Sequence, residues 1–120
     1  MKKQLNIFGK DLIACSLDPM TGYFRDGCCR SSSQDKGLHN ICVVVNSKFL
    51  DFSKSKGNDL ITPREEFSFP GLKPGDRWCV CARTWQDAAE AGVACPVDLD
   101  ATHEEALAVC DLEMLKRHAA

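Results

Sequence analysis

The segment Phe69–Trp85 constrains the fold more than any other, because within a few residues it passes from an obligatory loop into a strand. Pro70-Gly71 and Pro74-Gly75 set tight bends that neither a helix nor a strand interior accepts. Directly afterwards Trp78, Val80 and Ala82 alternate with Arg77, Cys79, Cys81 and Arg83, and a period of two marks a strand. The pleat then puts Cys79 and Cys81 on one face between two guanidinium groups, with Trp78 turned the other way toward a core. Two thiols on one strand face can ligate a metal, approach a substrate or simply be buried. No motif in the chain names a reaction.

The other elements arrange themselves around that strand. Leu5–Phe8 and Leu12–Cys15 read as short strands joined by a turn at Gly9-Lys10, where glycine accepts positive φ. Residues 16–40 form a long turn-rich loop, expected to be ordered because Tyr23, Phe24 and the pair Cys28-Cys29 can pack it on the body. Ile41–Val45 is a continuous run of mostly β-branched residues, as in a strand buried on both faces. Ser47 caps a helix that runs to about Lys56 and stops at Gly57.

A second loop, 58–75, is stiffened by Pro63, Pro70 and Pro74 and anchored by Phe67 and Phe69. Thr84 and Asp87 open a short helix that Gly92 ends, and Val97–Leu99 is a short strand. Thr102 with Glu105 forms a capping box for a helix that Asp111 restarts. The chain of 120 residues shows no repeat, linker or low-complexity segment. It therefore reads as a single domain, 1–120, of the α+β class: a small mixed sheet, short helices packed on it, and two long ordered loops.

Charge and hydropathy remove several partners. A formal charge of -2 gives no reason to expect nucleic acid. No run approaches the roughly 18 apolar residues of a membrane helix. Met1-Lys2-Lys3-Gln4 resembles the start of a signal peptide, but Asn6, Gly9, Lys10 and Asp11 interrupt any apolar core. The expected compartment is the cytoplasm, where the eight cysteines should be reduced thiols, free or metal-bound. Geometry agrees locally: a vicinal Cys28–Cys29 bridge needs a strained ring, and Cys79 and Cys81 lie about 6.6 Å apart along a strand.

Three functional classes stay open. As a metal centre, Cys28, Cys29, Cys79 and Cys81 supply two close pairs, with His39, His103, Cys15 and Cys42 as further donors for zinc or iron. Against that reading, neither pair is the Cys-x2-Cys turn of a zinc ribbon, and Cys42 inside its apolar run reads as core. As a thiol-dependent enzyme or redox-responsive protein, Cys28/Cys29 have Arg25 nearby and Cys79/Cys81 have Arg77, while His39 or His103 is the candidate base. As a binding module for a small molecule or protein, the two aromatic-bearing loops frame a surface and no chemistry is needed. Asp59 and Asp76 adjoin turn residues, and turn-making is their expected role.

Several motifs taken together resemble a known family. They are Asp18-Pro19, Thr21-Gly22, Phe24-Arg25-Asp26-Gly27-Cys28-Cys29, Gly37-Leu38-His39, Gly57-Asn58-Asp59-Leu60, the run Pro70–Cys81 and Ala101-Thr102-His103. The chain, from about Leu5 to His118, resembles a bacterial family of uncharacterised proteins, domain of unknown function 2237. The resemblance implies membership and no activity, substrate or cofactor. Cys15, Cys28, Cys29, Cys42, Cys79 and Cys81 fall in stretches that match the family pattern, whereas Cys95 and Cys110 do not and stand outside the candidate site.

Overall fold

Ile41–Val44 (β1) and Arg77–Val80 (β2) pair antiparallel, with Cys42 directly opposite Cys79 and Val43 opposite Trp78. The computed structural model describes residues 4–17, 20–22, 25–31, 38–67 and 69–120. The sheet has two strands, both antiparallel, rather than the mixed set expected from sequence. Single bridges widen it on the β1 side: Val43 to Val97 antiparallel, then Val97 to Ala119 parallel. Leu5–Phe8 and Leu12–Cys15 do not become strands. One bridge, Leu5 to Asp11, closes the turn between them, and Asn6 bridges to His103.

Three helices pack on this ribbon: α1 (Ser47–Ser55), α2 (Ala82–Glu90) and α3 (Leu112–Arg117). The cap of α1 is Asn46, one residue earlier than expected, and its side chain accepts from the Phe49 amide at 2.9 Å. Gly57, at φ 90°, takes the left-handed turn that follows this helix. Helix α2 begins at Ala82, so the strand stops short and Cys81 becomes the residue that leads into the helix. The alternation of apolar residues after Val80 was compatible with either element, since Ala82 and Trp85 also suit one helical face. The C-terminal region is three short pieces: two 3-10 turns, Leu99–Ala101 and Glu104–Ala108, and then α3.

One face of the sheet carries the main core. Ile41, Val43, Trp78 and Val80 meet Phe49, Leu50, Trp85 and Leu115 from the three helices. Trp85 is wholly buried, and its indole N–H donates to the Cys95 carbonyl at 3.1 Å. The other face is smaller and rich in sulfur: Cys15, Cys29, Cys42, Cys79 and Ala101. The N-terminal segment lies against that second face.

The strand pair also explains two buried threonines. At the Cys42–Cys79 pair both backbone N–H groups point outward, away from the partner strand. Thr21 Oγ1 accepts from the Cys79 amide at 2.8 Å, and Thr102 Oγ1 accepts from the Cys42 amide at 3.2 Å. Both threonines are fully buried, so water cannot replace them. A Thr21→Val substitution keeps the shape and removes the acceptor. It is expected to cost about 1–3 kcal/mol, the penalty of a buried amide left unpaired. Urea denaturation of the variant against Thr21→Ser, which restores the acceptor, measures it.

Candidate functional site

Cys42 and Cys79 are neighbours across the antiparallel strand pair, and each is bonded to a cysteine of the N-terminal segment. The structure joins Cys15 to Cys42 with Cα atoms 5.6 Å apart, and Cys29 to Cys79 with Cα atoms 5.3 Å apart. These crosslinks take four of the eight cysteines expected as free or metal-bound thiols, and Cys28, Cys81, Cys95 and Cys110 stay free. Spacing along the chain does not show which thiols folding brings into contact. The two bridges also touch each other. The sulfurs of Cys15, Cys29 and Cys79 all lie within 4.8 Å of one another, and all three residues are buried. Three cysteine sulfurs at this spacing can hold a metal ion only as reduced thiolates, in place of the disulfides.

Arg77 clamps one side of the cluster. Its Nε donates to the Cys15 carbonyl at 2.7 Å, its Nη2 lies 3.6 Å from Cys42 Sγ, and it pairs with Asp98. A second polar group lies nearby. The strand alternation that sends Cys42 into the cluster puts Asn40 on the same face, across from Cys81 one step beyond the paired register. Asn40 is completely buried, and neither the oxygen nor the nitrogen of its carboxamide has a hydrogen-bond partner among the described residues.

The outer edge of β2 borders a cavity of about 270 Å³. Cys79 and Cys81 reach its wall, together with Arg25 and His39. The long loop and the strand face therefore meet as expected: Cys29 is bonded to Cys79, and the Arg25 guanidinium sits 5.1 Å above the Trp78 ring. Tyr23 and Phe24, expected to pin that loop, lie outside the described residues. Arg64, Asp59, Leu60, Phe69 and Trp78 complete most of the lining; Phe69 was expected to help frame a pocket, and the other four were not singled out for a site from the sequence. Asp59 does make the expected turn: its carboxylate accepts from the amides of Ile61 and Thr62, and the Thr62 hydroxyl together with these amides holds its pKa down at about 2.

The remaining candidates separate. Cys28 is free and half-buried beside the cluster, and its thiol pKa is pushed up by burial and by the Asp26 carboxylate, against the pull of Arg30. A raised pKa makes it a poor nucleophile. His103 is buried and its Nδ1 accepts from the Glu105 amide at 3.0 Å, so it caps the Glu104–Ala108 turn. Thr102, expected in that role, is spent on Cys42. Cys81 leads into α2, half-buried at the cavity wall, and Cys110 is close enough for its titration to feel Cys81. Cys15 and Cys42, named from the sequence only as further donors, prove to be the bonded partners in one bridge. Cys42 carried a usable signal for its place, since pairing the two strands core to core puts it beside Cys79, whereas nothing local marked Cys15 as its partner.

The chain belongs to the family of uncharacterised proteins conserved in bacteria, domain of unknown function 2237, whose model matches residues 5–119. Among curated proteins none matches it. No helix among the described residues is long and apolar enough to cross a membrane.

The thiols should report this arrangement directly. Burial pushes Cys95 and Cys110 up to about 12, with the Cys81 charge a lesser cause at Cys110. An unfolded thiol titrates near 8.5, roughly. The stability they support is therefore complete below the unfolded value and is lost as pH rises from there toward about 12. Iodoacetamide at neutral pH is expected to label Cys81 in the folded protein, to label Cys28 only slowly because burial raises its thiol pKa, and to spare Cys95 and Cys110. Non-reducing peptide mapping should recover Cys15–Cys42 and Cys29–Cys79.

Proposed function

We propose, for this member of a family without an assigned activity, that the four-sulfur cluster is a redox-responsive metal site. Oxidised, it holds two disulfides; reduced, it holds one zinc or iron ion on the thiolates of Cys15, Cys29, Cys42 and Cys79. The observation that carries the reading is the approach of the two bridges. Three sulfurs from two different disulfides within 4.8 Å is more convergence than two structural crosslinks require.

The donor set suits the ion. A tetrahedral zinc–thiolate centre has Zn–S bonds of about 2.3 Å, which places its sulfurs about 3.8 Å apart. Once the two bridges are reduced, the sulfurs of Cys15, Cys29 and Cys79 start within 4.8 Å of one another, and Cys42, bonded to Cys15 in the oxidised form, is the fourth donor to be brought in. A four-thiolate centre carries net negative charge, and Arg77 beside Cys42 Sγ offsets part of it. The orphaned carboxamide of Asn40 offers N–H donors on the same face, and in the disulfide state it has nothing to donate to. Thiolates supply the missing acceptor.

The electron balance is simple. Two molecules of a low-molecular-weight disulfide accept four electrons from the four thiolates. Two protein disulfides form, four small thiolates leave, and the metal ion is released with its charge. In the cytoplasm, the compartment expected from the sequence, the glutathione pool favours the reduced, metal-holding form, and oxidative challenge drives it to disulfides. Cys28 is outside the reaction on this reading, because its thiol is held protonated.

The test is metal stoichiometry against redox state. Protein reduced anaerobically in chelator, desalted and offered Zn²⁺ or Fe²⁺ is expected to retain one ion per chain and to lose it on oxidation with glutathione disulfide. Cys79→Ser and Cys15→Ser should each abolish tight retention, while Cys95→Ser should not. A reduced wild-type protein that retains no metal sinks the proposal. So does retention that survives formation of both disulfides.

A further inference from the structure

The cavity beside β2 is not accounted for by the sulfur cluster. At about 270 Å³ it is slightly smaller than the usual range for drug-sized ligands, ~300–1,000 Å³, and suits a smaller molecule. Its aromatic side is made by Phe69 and Trp78, whose rings lie 5.1 Å apart and are tilted by 60°. Leu60 adds aliphatic surface. Charged groups then converge on this apolar wall.

The charges do not cancel. The Asp59 carboxylate keeps its negative charge, but its lone pairs are taken by its own turn through the Ile61 and Thr62 amides, so two guanidinium groups face one carboxylate in the lining. Arg64 has a carboxylate of Glu66 at 3.8 Å, but both side chains are more than half exposed, at 52% and 60%, so water and salt screen the pair. Arg25 stacks over Trp78 and has one long polar contact, Nη1 to the Met20 carbonyl at 3.5 Å. A guanidinium carries five N–H donors in a fixed fork that matches a carboxylate or phosphate. The two arginines therefore bring unused donors to one apolar cavity.

The backbone is held for this arrangement. Arg25 and Leu38 have φ of 54° and 51°, the two non-glycine residues in the left-handed region among those described. Arg25 lines the cavity and Leu38 immediately precedes His39, which also lines it. Unfavourable backbone conformations persist where surrounding structure enforces them, and they concentrate at ligand sites.

We infer that this cavity binds a small organic oxyanion with a flat apolar body. Trp78 and Phe69 take the body, and Arg25 and Arg64 take the carboxylate or phosphate. The site exists in the disulfide form of the protein and does not depend on whether the reduced form holds a metal.

The experiment uses the oxidised full chain and calorimetric titration with benzoate, phenyl phosphate, neutral benzamide and acetate. Benzoate or phenyl phosphate is expected to bind one site about tenfold or more tighter than benzamide, the margin of a charge-assisted hydrogen bond. Whichever of the two binds tighter identifies the oxyanion. Acetate, lacking the body, should bind more weakly than benzoate. The double variant Arg25→Gln, Arg64→Gln should lose the preference for the anions. Lys48→Gln, Arg117→Gln, which removes the same charge elsewhere, should keep it, with thermal melts checking that both fold. The inference is overturned if benzamide equals benzoate, if the Arg25/Arg64 variant retains the preference, or if none of the aromatic probes binds.

Discussion

The rest of the structure depends on the cross-strand contact between Cys42 and Cys79. Facing residues in a non-hydrogen-bonded antiparallel pair bring their side chains closer than any other position in a sheet. Here both side chains are sulfur, and each reaches the same N-terminal segment. Cys15 and Cys29 are therefore delivered to one spot by the strand pair, and the described residues between and around them are fastened without a strand or helix of their own. The bridges close separations of 27 and 50 residues. In the chain-entropy account, loops of that size stabilise by about 3.5 and about 4 kcal/mol if formed singly. That is a large share of the ~5–15 kcal/mol that holds a typical domain together.

The polar interior follows from the same pair. Turning the two cysteine side chains toward the N-terminal segment turns their amides toward the sheet edges, where Thr21 and Thr102 receive them. Thr21 sits on the segment that the disulfides fasten, so covalent and hydrogen-bonded attachment reinforce each other. The Gly27 carbonyl accepts from the Cys15 amide at 2.7 Å, and the Thr21 carbonyl accepts from the Gly27 amide at 2.9 Å, closing the loop on itself. Asn40 alone on that face is left unsatisfied, at a cost of about 1–3 kcal/mol for a buried polar group with no partner. A cost of that size is easier to understand if the neighbouring sulfurs spend part of their time as thiolates.

How far the sequence could be read depended on whether the deciding contact was local. The strand at Arg77–Val80 and the buried run at Ile41–Val44 were legible because a period of two and a β-branched run are local signals. So were the stops at Gly57 and Gly92, both with positive φ. Thr102 was misread because a capping box is a local pattern, and the hydroxyl is taken by an amide 60 residues away. The partners of the cysteines were illegible for the same reason: spacing does not determine connectivity. The loop over Cys79 was foreseeable without its bonds, since a segment of small and turn residues must borrow a core from the sheet. Arg64 and Asp59 gave no sign, because an arginine in a loop and an aspartate in a turn look alike whether or not a cavity lies beside them.

Cys79 belongs to both places where chemistry is concentrated. Its sulfur is in the cluster, and the residue also borders the cavity that Arg25 overhangs. Arg25 and Cys29 are on one short stretch of chain, so the Cys29–Cys79 bond fixes how Arg25 sits above Trp78. Any ligand that uses Arg25 then favours whichever redox state holds it there. Linkage makes the effect reciprocal: a ligand that binds the disulfide form more tightly makes that disulfide harder to reduce by the same factor. On the two proposals, the cluster and the cavity are coupled through a single shared residue, Cys79, and a few bonds of backbone. No longer pathway is needed, because the two-state element is the disulfide itself.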